Sequence, residues 1–180
     1  VAEGLVRTSP TATKEATPLC FALSAANNWD LGAMDVTAAF LQGGPIRREV
    51  WLKPPKDALH DATMSWKLLK IVYGLCDAPR AWWETLDTFL VSLGAKAHPS
   101  DRCAYGFHTS TGALRGLIIV HVDDLLYCGD STFGDILAKV RARFSIGSEH
   151  KDAFRYLGMQ VHVSKHGGVV QKVMVGQETT

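Results

Sequence analysis

The sequence has almost no charge imbalance: 19 basic residues stand against 18 acidic ones over 180 positions, a formal net charge of +1. A basic excess is the compositional footprint of nucleic-acid binding. Any such surface here must come from cations clustered on one face. Paired cysteines are missing as well. Cys20, Cys76, Cys103 and Cys128 form no C-x-x-C pair, which excludes the common zinc and disulfide frameworks and suits a reducing, intracellular setting. No apolar run is long enough to cross a bilayer, and the N-terminal residues lack a signal-peptide pattern. No membrane role is expected. What remains is a chain 47% apolar and 21% charged. That composition belongs to a globular protein, and the length suits one domain with a real core.

The informative stretch is Leu117-Ile118-Ile119-Val120-His121-Val122-Asp123-Asp124-Leu125-Leu126-Tyr127. Two β-branched and apolar runs flank a pair of adjacent carboxylates, which predicts strands on both sides. Neighbouring side chains on a straight strand point to opposite faces, so both acids serve one site only if the backbone turns there. His121 to Asp124 therefore reads as a hairpin tip. Carboxylates held together in an apolar frame resist ionising. A divalent cation relieves that, and hard oxygen ligands suit magnesium. The same residues also read as a solvated Asp-Asp turn.

A third acid, Asp35, sits in Met34-Asp35-Val36-Thr37-Ala38-Ala39-Phe40-Leu41. It reads as a metal ligand at the end of a buried strand or as a helix N-cap. Between the two acidic stretches lies Tyr73-Gly74-Leu75-Cys76-Asp77-Ala78-Pro79-Arg80-Ala81-Trp82. The three stretches, in this order and spacing, resemble the copia-type retrotransposon reverse transcriptase, an RNA-dependent DNA polymerase. The resemblance runs from about Arg7 to Gln171.

That resemblance implies an α+β fold: a palm, meaning an antiparallel sheet backed by helices, with a partial fingers subdomain and the thumb missing. Residues 1–180 would be one fingers/palm fragment, with fingers at about 43–72 and palm at about 17–42 and 73–163. It implies that Asp35, Asp123 and Asp124 are catalytic and hold two Mg2+ ions, with Mn2+ possible, aided by the backbone carbonyl of Val36. Phe40 would lie under the sugar of the incoming nucleotide and exclude a 2′-hydroxyl; its residue type equally suits a core position. Tyr73 and Gly74 would pack near the nucleotide, with Gly74 allowing close backbone approach. Lys14, with Arg7, would face the triphosphate, although lone cations are often plain surface groups. His121 takes the place of the family's usual tyrosine near the primer end. Tyr156, Leu157, Gly158 and Met159 resemble the hairpin that grips the primer. Asp77 stands where the family usually has Gln, an acid in a loop expected near phosphates.

Implied partners are an RNA template, a DNA or RNA primer, deoxynucleoside triphosphates, and the thumb and ribonuclease H parts of a larger polyprotein. The implied location is a cytoplasmic particle or the nucleus. A folded, non-catalytic relic of such a polymerase is the alternative. A two-metal nuclease ranks below it, because the Tyr73–Trp82 stretch has no role there.

Local patterns predict the remaining elements. Val1–Thr13 reads as a poorly ordered lead-in. A helix should follow, capped at Thr17 with Pro18 as its first residue and ending at Asn27-Asn28. Leu31–Val36 should be a strand and Thr37–Gln42 a short helix. Strands are expected around Val50–Leu52 and Trp66–Val72, the first with its charges on one face, and 54–58 reads as a loop. A helix from Arg80 to Leu93 presents Trp82, Leu86, Phe89, Leu90 and Leu93 as a core stripe, with Gly94 at its end. Asp101–His108 and Leu114–His121 should be strands, and Phe133–Phe144 an amphipathic helix. A last apolar stretch covers Val169–Val175.

Overall fold

The computed structural model describes residues 7–55, 57 and 63–177. The first six residues of the expected lead-in, and residues 56 and 58 of the expected loop, lie outside the described set. Three α-helices and eleven strands build a mixed α+β fold among the described residues.

The centre is a sheet of six strands: β1 (Asp30–Val36), β4 (Lys96–His98), β5 (Asp101–His108), β6 (Leu114–His121), β7 (Asp124–Gly129) and β8 (Ile146–Lys151). Their order is β4-β5-β6-β7-β1-β8, with every neighbouring pair antiparallel. β6 and β7 are the two apolar runs around the acid pair. Their side chains alternate between two buried layers, so the central strands are apolar on both faces. Leu125 and Tyr127 join one layer, with Trp82, Leu86 and Leu90 of α2 (Ala78–Ser92) and Leu137 and Val140 of α3 (Gly134–Arg143). Leu126 and Cys128 join the other, with Cys20 and Phe21 of α1 (Ala16–Asn27). A second sheet covers that layer, ordered β11 (Val169–Gln177), β10 (Met159–His166), β9 (Ala153–Tyr156).

Several expectations change. α1 begins at Ala16, whose N–H donates to the Thr13 carbonyl, so Thr17 is a buried helical residue and not the cap. Pro18 permits this because first-turn N–H groups have no intrahelical partner to lose. Asn28 does end the helix, in the left-handed region at φ 54°. The lead-in is tethered where it is described: Thr13 donates from its backbone N–H and Oγ1 to the buried Asp101 carboxylate at 2.8 and 2.9 Å, and Ser9 Oγ donates to the Pro79 carbonyl. The strands at 50–52 and 66–72 shrink to β2 (Trp51–Leu52) and β3 (Trp66–Lys67). All four residues are exposed, and beyond them the pairing continues only irregularly, through the Leu68 N–H to the Val50 carbonyl, the Ile46 N–H to the Leu69 carbonyl and a bridge between Pro45 and Lys70. The stripe on α2 also gains Trp83, at 3% exposure.

His162 and His166 stand four residues apart on β10. A strand carries them about 13 Å apart, too far to share an ion. Among the described residues, no helix is long and apolar enough to cross a membrane.

Candidate active site

The β6–β7 turn pairs His121 with Asp124 across Val122-Asp123. Val122 adopts φ 58°, a region where β-branched residues are outliers and glycine is usual. The surroundings hold it there. Its carbonyl accepts a hydrogen bond from Trp82 Nε1 at 2.7 Å, and the neighbouring Asp123 carbonyl accepts the Val36 N–H at 2.9 Å. The hairpin tip is thus fastened to α2 on one side and to β1 on the other.

Asp35 of β1 stands directly opposite Asp124 of β7. The register of β1 against β8 shifts between Asp35 and Val36, a bulge that re-aims side chains locally. Gly147 of β8 leaves room for the acid: a Cβ there would lie 2.8 Å from Asp35 Oδ2 and 2.6 Å from Thr37 Oγ1. Asp35, Asp123 and Asp124 are all half-buried. Burial first, then the charges of Asp123 and Asp35, raise the Asp124 carboxyl above its ordinary range, with His121 partly offsetting them.

Among the described residues, no three His, Cys, Asp or Glu side chains close into a ready-made metal cage. The acids share one end of the sheet without clasping a single point. Such a donor set still fits magnesium, which keeps several waters and typically uses one or two carboxylates plus substrate phosphates. The mutual repulsion on Asp124 is the kind of strain a cation relieves.

Phe40 and Tyr73, 33 residues apart in the numbering, meet with ring centroids 4.8 Å apart. Phe40 is half-buried and Tyr73 is 55% exposed. Gly74 adopts φ 90°, and a Cβ there would meet nothing within 4 Å. Backbone conformation is therefore sufficient reason for a glycine. Asp77 faces no uncompensated charge: Arg48 donates to it from Nε and Nη2 at 3.0 and 2.9 Å, and that contact holds its carboxyl below the ordinary range. Lys14 is almost fully exposed, 3.9 Å from Glu15.

The Tyr156–Met159 turn is a two-residue hairpin with Leu157 at φ 46° and Gly158 at φ 78°. Here an expectation needs correcting. Tyr156 is 2% exposed, so it offers no surface to a primer. Leu157 and Gly158 are the exposed members, and Met159 is half-buried.

Sequence reasoning missed Trp82 as a support, since it read as core stripe, and missed Gly147 altogether. It also missed a brace under the site. Tyr127 donates to Glu149 at 2.7 Å, Arg141 grips the same carboxylate through two nitrogens, and Gly32 leaves the space through which the tyrosine passes. No spacing rule signals any of these.

An antiparallel sheet sandwiched between helices and a second sheet, with an acid-bearing hairpin tip beside a third acid on the next strand, defines an α+β domain with a polar site at one sheet end. The family described as reverse transcriptase (RNA-dependent DNA polymerase) matches residues 5–174, and the chain belongs to that family, in its copia-type branch. It is 31% identical over 137 residues to the retrovirus-related Pol polyprotein from transposon RE2 of Arabidopsis thaliana, covering 74% of this chain and 9% of that protein. It is 30% identical over 144 residues to the corresponding polyprotein from transposon TNT 1-94 of Nicotiana tabacum, 77% of this chain and 10% of that one. A putative transposon Ty5-1 protein of Saccharomyces cerevisiae is 29% identical over 141 residues, 76% of this chain and 44% of that protein. The chain thus spans about a tenth of the plant polyproteins it matches. No solved structure matches it.

Proposed function

We propose that the chain is the fingers–palm part of an RNA-directed DNA polymerase that extends a primer 3′-hydroxyl with deoxynucleotides. The observation that carries this reading is the opposition of Asp35 and Asp124, with Asp123 tied to the same corner through Val36. Family membership supplies the reaction class. Residues 43–72, which include the β2–β3 ribbon, would be the fingers, and 17–42 with 73–163 the palm.

Asp35 and Asp123 would hold two Mg2+ ions, or Mn2+ in their place, with Asp124 as a partial ligand and the Val36 carbonyl as a further donor. When bound, such ions supply Lewis acidity and neutralise the charge that develops on transferring phosphoryl oxygens. The chain's own residues do the placing. The fastened hairpin tip fixes Asp123 and Asp124 relative to β1. Phe40, in tilted contact with Tyr73, offers an apolar wall for the sugar of the incoming nucleotide. Gly74 lets the loop turn beneath it, and Lys14 adds positive charge for the triphosphate. His121 lies beside Asp124 toward the primer end, and the exposed Leu157-Gly158 turn meets the primer backbone.

The test is primer extension on an RNA template with magnesium, using this chain within its polyprotein context. Extension should be abolished by Asp123→Asn and Asp35→Asn. Equal extension by parent and Asp123→Asn would remove the assignment. A parent chain that neither binds Mg2+ nor extends a primer would be the non-catalytic relic.

A further inference from the structure

Tyr156 is 2% exposed, yet among the described residues its hydroxyl has no hydrogen-bond partner. Buried hydroxyls are nearly always paired, so an orphan in an ordered core points to a partner recruited in another state. Its place in the fold shows which partner. β9 packs against β1. The ring lies in the same core layer as Ala33 and Leu126, which stand two residues from Asp35 on β1 and from Asp124 on β7. Residues two apart on a strand share a face. Tyr156 therefore packs on the face from which both carboxylates project. Asp124 is the charged group that bears most strongly on its phenol, and burial keeps that phenol protonated, hence a donor. On the other side of Tyr156, the chain turns directly into exposed Leu157-Gly158.

We propose that Tyr156 is a positioning residue: its hydroxyl donates a hydrogen bond to the Asp124 carboxylate, directly or across one water, when that carboxylate is turned to hold a cation. The contact ties the Leu157-Gly158 turn to the acid cluster, so that the primer-facing turn and the acids move as one unit. Hydrogen-bonded supports of metal ligands orient them and raise metal affinity. This inference rests on the polymerase reading above.

The test is Mn2+ binding to the 180-residue chain, followed by electron paramagnetic resonance, with thermal unfolding measured alongside. Tyr156→Phe keeps the ring and deletes only the unpaired hydroxyl, so it should unfold at or above the parent temperature. It should nevertheless bind Mn2+ about tenfold more weakly. On an Asp124→Asn background the same change should make no further difference. Equal affinity in the parent and Tyr156→Phe overturns the coupling and leaves the polymerase reading intact. A parent chain that binds no Mn2+ overturns both. If Tyr156→Phe unfolds well below the parent, Phe154→Leu serves as the control, since it disturbs the same packing and leaves the hydroxyl in place. An equal loss of Mn2+ affinity in both variants then overturns the proposal.

Discussion

Asp35 and Asp124 occupy directly opposed positions on neighbouring antiparallel strands. Opposed residues leave a sheet on the same face with their Cβ atoms about 5 Å apart. Two carboxylates that lie 89 positions apart in the chain are thereby made neighbours by backbone hydrogen bonding alone. Asp123 joins them because its carbonyl accepts the N–H of the residue after Asp35. The predictions follow from that corner of the sheet and what supports it.

Asp124→Asn should stabilise the chain at neutral pH. Burial and its acidic neighbours raise the folded-state carboxyl above its ordinary value, so the folded chain holds that proton more tightly than the unfolded one. Stability from this group is complete below the ordinary carboxylate value and is lost as pH rises through the raised one. Removing the charge restores it. Partial exposure screens the effect to at most about 1 kcal/mol, or roughly 2–4 °C in melting temperature. Calorimetry from pH 7 down to pH 3 should show the gain over the parent shrinking as pH falls.

Gly147→Ala should damage the site without disturbing the distant core. The new methyl would sit within 3 Å of both Asp35 Oδ2 and Thr37 Oγ1, so both must give way. Overpacking of this kind costs about 1–3 kcal/mol. Displacing a carboxylate from its working position should lower primer extension at least about tenfold, equivalent to roughly 1.4 kcal/mol. Extension kinetics together with melting curves would separate the two effects.

Trp82→Phe should loosen the acid-bearing turn. The variant fills most of the buried space but leaves the Val122 carbonyl without its 2.7 Å donor. Losing the partner of this half-buried acceptor costs about 1 kcal/mol. The left-handed Val122 also loses one of the contacts that hold it. Amide hydrogen exchange should quicken at 121–124 more than at β4 or β5.

Asp77→Gln, which introduces the family's usual residue, should destabilise this particular chain by about 1 kcal/mol, because Arg48 loses a two-point, charge-assisted contact. The Arg48 hydrogen bond lowers the folded-state carboxyl. Its contribution is therefore present above the ordinary carboxylate value and lost as pH falls through the lowered one. Unfolding at pH 7 should separate the parent from the variant, and the two should converge in strong acid.

Much of the architecture was legible locally. Asp101–His108 and Leu114–His121 are strands with the expected ends, and the chain reverses at His121–Asp124 as expected. β-branched runs and alternation are short-range signals, since each strand carries its own conformational preference. Thr17 misled because a Thr-Pro pair looks like a helix start even when a tethered residue upstream supplies an earlier one. Tyr156 misled because resemblance assigns a role to a position without revealing which way the side chain faces.

By itself the sequence determined the three helices, most of the strands though not β4 or β8, the family, and which three acids to watch, because periodicity, turn chemistry and motif order are properties of residues near one another along the chain. Only the tertiary structure decided that Arg48 neutralises Asp77, that Trp82 fastens the Val122 turn, that Gly147 makes room for Asp35, and that the buried Tyr156 phenol feels the charge of Asp124. Those four facts depend on partners 29 to 112 positions apart. Packing sets such distances, and no local pattern encodes them.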